Sequence, residues 1–599
     1  MRDSEHSVRV AVVGSGLAGL ATAHFLRKAA AHTPDHAHLC IDVHLLEKND
    51  SLGMDAASLS VKSDQGSSRV DVPMRSINGG SHARVKKLYE HLGVPLVRSD
   101  FTYSFSRIVD PPLPPSRTSS GATTPDTPPP PPSRPPSVAS TAPSTPPPQY
   151  LEHEEAASSQ AESAKPSHLR QLTAFIYEGA SGLRFPPISY PSHLKHAPIA
   201  QRVAYIVGVV HLAAAYLYLL LLAFFYVSLG LAQPPPERKR SAGSRISSRV
   251  PLRNVASESL LDWCRRHRIP SCLTDDVLVP LMAGVATVGT EEAEKMPVGE
   301  VLQYITTTFA SSHFVTHPDF GVRGIVQRMA APIPSECLHV GVDIDRIEVV
   351  AGDGYRLHYQ QRGEAKTLEV DHLIFATQAD QAVQLLSSMT PAAQDSDDLE
   401  RTLDALRQFA YTRTLVVTHT DASLLPSDPH DQRDLNLAVF SPRPASTPLS
   451  EWDESLDYVP PTSVQTTHVL HRSATPLDSS KKGEARAPSL ILQTTNPLVP
   501  IPPQHVLSST WFSRAFVTPA SQAVLSRFEL PSSPAAPSAD SLQGLALGRK
   551  RRDTSGRVWF VGSYVADGIP LLEGCVASAE GAVRDLIRRE GATVTKWAY

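Results

Sequence analysis

The segment from Val8 to Gly19 (VRVAVVGSGLAG) joins an apolar run, Val8–Val13, to the glycine pattern Gly14-x-Gly16-x-x-Gly19. Leu20, Ala21, Ala23 and Leu26 follow at helical spacing. A strand, a glycine turn and a helix in that order can cradle a pyrophosphate. The first glycine permits the tight bend, the second lets the backbone approach the phosphates, and the third lets helix and strand pack closely. The helix N-terminus adds free N–H groups and the positive end of its dipole. A second strand, Ile41–Leu46, ends at Glu47, where a carboxylate can accept hydrogen bonds from a ribose 2′-OH. Glu47 follows Gly19 by 28 residues, and the polar stretch His32–His38 accounts for the unusual length. A glycine turn alone also serves a βα unit without a ligand. Strand, helix and acid together favour a dinucleotide.

The opposite end of the chain carries the complementary half. Val558–Val561 is a short apolar strand, followed by Gly562, a loop and a helix starting at Leu571 or Leu572 that includes Glu573, Gly574, Ala577 and Ala582. This resembles the closing FAD motif of the flavin-containing amine oxidase and phytoene desaturase superfamily, in which that helix aims its N-terminus at the flavin ring. Further segments narrow the resemblance. They are Val70-Asp71-Val72-Pro73-Met74-Arg75, Leu88–Val94, Leu278–Val285, Asp371–Thr377 with Asp380 and Gln381, Phe409-Ala410-Tyr411, and Thr418-His419-Thr420-Asp421. In this order they resemble the predicted NAD/FAD-binding oxidoreductases associated with cyclopropane fatty acid synthases. The resemblance covers roughly two-thirds of the chain. Three departures stand out: Met54 where many relatives have a second glycine, a closing loop reading DGIPLLEG, and several long insertions.

The resemblance implies an α/β fold: a Rossmann-type FAD-binding domain (a GR2-like flavoprotein) with a mixed α+β substrate domain and a hydrophobic helical insertion. It implies non-covalent FAD held by Gly14, Ser15, Gly16, Leu17, Ala18, Gly19, Glu47, Lys48, Pro73, Met74, Arg75, Ile344, Gly562, Leu572 and Glu573. Cys575 lies where the closing helix nears the flavin, but the family's covalent position falls earlier. The implied chemistry is hydride or electron transfer carried by the cofactor. No catalytic residue beyond the flavin is assigned. His419 and Asp421 are read as structural polar residues rather than catalytic ones. The closing loop Val565–Leu572 has no aromatic residue, Tyr564 being nearest, which disfavours a simple amine. An apolar, lipid-like substrate is the expectation, with amine oxidation and a non-catalytic membrane-associated flavoprotein scaffold as alternatives.

Composition bounds these readings. The chain has 599 residues, too many for one simple core. Its 56 basic and 60 acidic residues nearly balance, which gives no footprint for nucleic acid. Cys40, Cys264, Cys272, Cys337 and Cys575 show neither paired spacing nor a metal pattern, so reduced thiols and no metal are expected. The polar start MRDSEHS runs straight into the first strand, so no signal peptide is expected.

The expected organisation alternates core segments with insertions. Residues 1–110 form the first part of the FAD-binding domain. Residues 111–168 form a Pro/Ser-rich disordered insertion; 111–148 alone hold 16 of the 53 prolines. That insertion could serve an SH3-like partner, although a tolerated surface insertion is the plainer reading. Then come a substrate-domain segment at 169–202, with a short hairpin in 171–190, an apolar segment at 203–232 and a basic linker at 233–250. The helical substrate domain follows at 251–335, strands returning to the FAD domain at 336–390, and more substrate domain at 391–530, with an insertion at 441–489. A linker at 531–556 and the closing FAD segment at 557–599 complete the chain.

Residues 203–232 contain no Asp, Glu, Lys or Arg. One helix of that length would be ~45 Å long, enough to cross a bilayer. A lone crossing would separate two halves of one FAD domain. The expectation is therefore a monotopic segment, bent, re-entrant or interfacial, ahead of a buried core helix, with the catalytic domain facing the cytosol. His211 is the one ionisable group there besides tyrosines, read as a tolerated neutral imidazole. Arg238, Lys239, Arg240, Arg245 and Arg249 suit anionic headgroups.

Overall fold

The computed structural model describes residues 6–32, 39–53, 59–63, 66–109, 171–179, 187–234, 253–317, 320–350, 354–389, 396–440, 463–472, 490–528, 541–545 and 557–599, with a few isolated positions between. The Pro-rich insertion with its expected SH3-like partner, nearly all of the 441–489 and 531–556 segments, the basic cluster after residue 234 and Met54 lie outside the described residues.

The two chain ends meet in one sheet. Its five strands run in the order Leu338–His339, Leu39–Leu46, His6–Val13, His372–Phe375 and Arg557–Phe560. Every neighbouring pair is parallel, with Val13 opposite both Leu46 and Phe375, and Phe375 opposite Phe560. The near-continuous apolar runs follow from burial on both faces. Val8, Val10 and Val12 face a core shared with the helices Leu17–Lys28 and Leu572–Arg589. Ala11 and Val13 face a second core with Leu357, Tyr359, Ala382 and Leu403. That second face is covered by the antiparallel strands Val342–Val350, Gly354–Gln361 and Glu364–Val370 and by the helices Ala379–Ser387 and Ser396–Leu406. The last two of those strands turn at Arg362 and Gly363, both at positive φ (53° and 81°), as a two-residue hairpin requires. The C-terminal strand Thr593–Lys596 pairs with Ala30–His32, and Trp597 and Tyr599 pack their rings on Phe25.

A second, eight-stranded sheet draws on widely separated segments. Its order is Ile188–Ser189, Gln171–Tyr177, Tyr103–Ile108, Leu435–Phe440, Gln465–Arg472, Leu490–Thr495, Ala410–His419 and Val506–Phe516. Ile188 pairs with Tyr177 as the expected hairpin requires. Three segments sit differently from the sequence reading. Tyr103–Ile108, taken as part of the first FAD segment, joins this large sheet, because it pairs in parallel with Leu435–Phe440. The helix Gly321–Ala330, taken as substrate domain, buries Val322, Ile325 and Met329 in the first Rossmann core. Ser396–Leu406, likewise assigned to the substrate domain, buries Leu399, Leu403 and Leu406 in the second.

Short helices between Leu260 and Thr308 form the expected helical layer over the large sheet, burying Trp263, Met282 and Leu302. The apolar segment is one uninterrupted helix, Ile199–Ser228, of 30 residues. It has no break at which the chain could re-enter, which removes the bent or re-entrant form.

Candidate functional site

Three glycines shape the turn after the first strand, each in a different way. Gly14 has φ +99°, and a Cβ there would stand 2.9 Å from the Ala376 carbonyl oxygen. A Cβ on Gly19 would lie 1.9 Å from the Gly14 oxygen, so helix and strand close only on a glycine. Gly16 is the opposite case: nothing lies within 4 Å of a Cβ built there. The turn is thus closed toward the sheet and open on the side where a phosphate would approach. The helix Leu17–Lys28 starts there with no side-chain cap and no acid in its first turn, while Arg27 and Lys28 end it. Its free N–H groups and dipole suit an anion.

Glu47 is buried at the end of the second strand. One carboxylate oxygen accepts from the Ser15 N–H (2.9 Å) and Ser15 hydroxyl (2.5 Å), the other from the Asn49 N–H (3.0 Å) and amide (2.9 Å). The Gly53 N–H donates to Ser15 Oγ at 2.6 Å. Glu47 therefore ties the glycine turn to the following loop; with two donors on each oxygen its acceptor sites are filled, so a ligand hydroxyl would take the place of the Ser15 hydroxyl or the Asn49 amide. Lys48 is exposed beside it. Ile344 lies in the strand that leaves the Glu47 backbone, where the Val342 N–H donates to the Glu47 carbonyl at 2.9 Å.

The closing helix begins at Leu572, again with no side-chain cap. Gly562 is fixed at the strand end by Ser578, whose hydroxyl accepts from the Gly562 N–H at 3.0 Å and donates back into the same helix. The Cys575 thiol sits against Ser563 and the backbone of Ala18, so the starts of the two helices adjoin. Burial pushes that thiol up to about 11, which keeps it neutral. Glu573 is committed elsewhere: its carboxylate accepts from the backbone N–H groups of Arg84 and Val85 at 3.0–3.1 Å, capping the helix Ala83–His91. It orients the closing helix against that neighbour.

The segment Val72-Pro73-Met74-Arg75 is clamped by a residue the sequence did not disclose. Gln493 accepts from the Met74 N–H at 2.5 Å and donates to the Asp71 carbonyl at 3.1 Å and to Thr418 at 3.3 Å. Arg75 lies close enough to Arg514 and Cys575 to bias both, and burial and Arg75 push Arg514 down to about 10. The turn, Glu47, the 72–75 segment and the closing helix thus gather at the C-terminal ends of the parallel strands, where open α/β sheets bind ligands.

Beside the closing loop lies a narrow cleft with room for about one water, lined by Phe409, Phe516, Leu525, Tyr564 and Pro570 together with Glu300 and Gln522. Glu300 is buried, on the helix Val298–Thr308. One of its oxygens accepts from Gln522 at 2.7 Å. Its other oxygen, Gln522 Oε1 and the Tyr564 hydroxyl have no hydrogen-bond partner among the described residues. Burial holds the Glu300 carboxyl above its usual range, and Asp567 adds to the effect. No motif marks Glu300 or Gln522; only the fold brings them together.

His419 is fully buried, bonded to Thr494 Oγ1 at 2.7 Å and accepting the Asp421 N–H at 3.1 Å. Burial pushes it down to about 4, so it is a neutral member of the sheet interior. At the Rossmann sheet edge, Asp42, His44 and Cys337 place ligand-type atoms within 4.8 Å of one another. They satisfy each other through the chain His339–His44–Asp42, at 3.0 and 3.3 Å.

Residues 12–92 match the NAD(P)-binding Rossmann-like domain family. No curated protein sequence matches the chain. Among solved structures, wild-type putrescine oxidase bound to putrescine is similar, with 10% identity, 98% of this chain and 100% of that chain covered, and a TM-score of 0.43. Cyclohexylamine oxidase from Brevibacterium oxydans IH-35A gives 11%, 97%, 99% and 0.46. A CLA-producing fatty acid isomerase from P. acnes gives 13%, 97%, 98% and 0.46. At these TM-scores the likeness decides nothing about cofactor or substrate.

Proposed function

We propose that this protein is an FAD-dependent oxidoreductase of the flavin-containing amine oxidase type, acting on an apolar, lipid-like substrate. The observation that carries the reading is the turn at Gly16. It is open where a pyrophosphate would lie, backed by an uncapped helix N-terminus and joined through Cys575 to the uncapped start of the closing helix. Gly14, Ser15, Gly16 and Leu17 would hold the phosphates, and Glu47 the ribose. The segment Pro73–Arg75 and the start of the closing helix at Leu572 would border the flavin ring. Bound FAD supplies a two-electron acceptor. The chain's own part is to bind and orient. Glu573 fixes the closing helix, and Gln493 fixes the 72–75 segment. Anaerobic addition of long-chain fatty acids, alcohols and isoprenoids should bleach the flavin absorbance of the purified protein. An unchanged spectrum with every one of them would refute the lipid reading.

One observation favours a second reading, amine oxidation. A buried carboxyl without a full set of partners, beside the packed rings of Phe409 and Tyr564, is the kind of group that pairs with an ammonium once the cleft widens. Peroxide release on adding alkylamines, lost in Glu300→Gln, would favour it over the lipid substrate.

A further inference from the structure

We propose that the outer face of the helix Ile199–Ser228 docks flat onto an anionic lipid leaflet and does not cross the bilayer. The helix has a mean hydropathy of 2.3 over its most apolar stretch, only 22% of which is buried. Its inward stripe is narrow: Ala215, Leu219, Leu220, Ala223 and Tyr226. Its outer face is not the solvated face of a surface helix. Twelve of the seventeen large exposed hydrophobic residues among the described ones lie between Ile199 and Leu229, including Val207 (62%), Leu217 (60%) and Leu221 (71%). Phe309, half exposed, extends the patch by packing its ring 5.6 Å from that of Phe224. A contiguous apolar surface of this length on a folded body needs a cover.

The anchoring of both ends sets the orientation. Near the start, Tyr205 donates to the Ser189 carbonyl at 2.9 Å and Arg202 to the Ala197 carbonyl at 3.0 Å. Near the end, Tyr226 meets His267 at 3.1 Å, and the Val255 N–H donates to the Leu231 carbonyl at 2.9 Å. Strands before the helix (Gln171–Tyr177) and after it (Leu435–Phe440) share the eight-stranded sheet. The globular body packs against the second half of the helix, from Ala215 to Tyr226, and a crossing through that half would drag the body's charged surface into hydrocarbon. Lying in the interface buries the outer face alone. The charge pattern of the sequence names the surface: residues 191–250 hold seven Lys and Arg and a single acid, Glu237, with Lys195 and Arg202 among the described residues and the other five cations beyond them.

The test uses the full-length chain and vesicles of phosphatidylcholine with a minor share of phosphatidylserine. The protein should float with the vesicles. The combined variant Leu217→Ser, Leu221→Ser and Phe225→Ser, all at exposed positions, should bind at least ~100-fold more weakly with an unchanged circular dichroism spectrum. Nitroxides placed singly at Val203, Val210, Leu217 and Phe224, with Cys40→Ser and Cys272→Ser, should report one shallow depth. Depths that run from one headgroup layer through the centre to the other would overturn the proposal in favour of a crossing. A wild-type chain that ignores vesicles and forms a dimer abolished by the triple variant would overturn it in favour of a second copy. A soluble monomer that ignores vesicles would also overturn it. Flotation is read without the cofactor, so its outcome is independent of the flavin reading.

Discussion

The two large sheets bury their strands by different means. In the five-stranded sheet the interior is aliphatic: Val10, Val12, Val43, Leu45, Leu373 and Ile374 are fully buried. In the eight-stranded sheet the buried residues include Ser104, Thr414, Thr418, His419, Gln465, Thr467, Gln493 and Thr494. The first sheet is held by non-directional burial, which tolerates small shape changes. The second adds to its own aliphatic residues (Leu415, Val417, Leu437) a buried hydrogen-bond network, in which a group that loses its partner costs about 1–3 kcal/mol. Thr467 and Thr494 share their hydroxyls at 2.9 Å, His419 joins them, and Gln493 reaches from this network to the 72–75 segment. The aliphatic sheet thus carries the glycine turn, and the polar sheet positions the 72–75 segment.

The largest expected effect lies where the aliphatic sheet loses its tolerance. Gly19→Val would force side-chain atoms through the Gly14 carbonyl, and should remove soluble folded protein in a thermal-melt assay. A normal melting transition would show that helix and strand can part without loss. In the polar sheet, Gln493→Leu strands the Met74 N–H and the Asp71 carbonyl. It should lower stability by roughly 3 kcal/mol in urea unfolding and weaken flavin retention. A loss below ~0.5 kcal/mol would mean that the clamp is incidental.

Acid sharpens the contrast further. His419 titrates near 4 when folded against an ordinary value of 6.5. Its contribution is complete above pH 6.5 and is lost as the pH falls through 4, by roughly 3 kcal/mol in total. His419→Gln should flatten the stability profile over that window; an unchanged slope would remove His419 as the cause. Glu300 gives the smallest effect and the opposite sign. Its raised carboxyl takes up a proton on folding, so its contribution is complete below the ordinary value of 4.5 and declines as the pH rises. Glu300→Gln should remove that decline, and a steeper decline would contradict the burial argument.

The same contrast explains what could be read from the sequence. Val8–Val13, Gly14, Gly16, Gly19 and Glu47 declare themselves locally, because an apolar run, a glycine spacing and an acid at a strand end each have a near-neighbour cause. The return of His372–Phe375 and Arg557–Phe560 to that strand follows from incomplete halves of one site. The polar sheet gives no such sign. Gln493 meets Met74 across 419 positions, and Gln522 meets Glu300 across 222. Their partners are fixed only by tertiary pairing, and alternation of Thr, Gln and Val looks like an exposed strand until both faces are known to be covered. Glu573 shows the reverse case: its position in the motif points to the cofactor, while its carboxylate accepts from the Arg84 and Val85 N–H groups.

The most direct test of the central claim is the visible spectrum of purified Gly16→Val beside the wild type. A Cβ at this position meets no protein atom within 4 Å, so the variant should fold and melt like wild-type protein stripped of its flavin. The wild-type protein should be yellow and release its flavin into the supernatant on acid precipitation. The variant should be folded and colourless, because its side chain occupies the pyrophosphate path. A folded variant that keeps the full flavin spectrum would contradict the assignment of the cofactor to this turn.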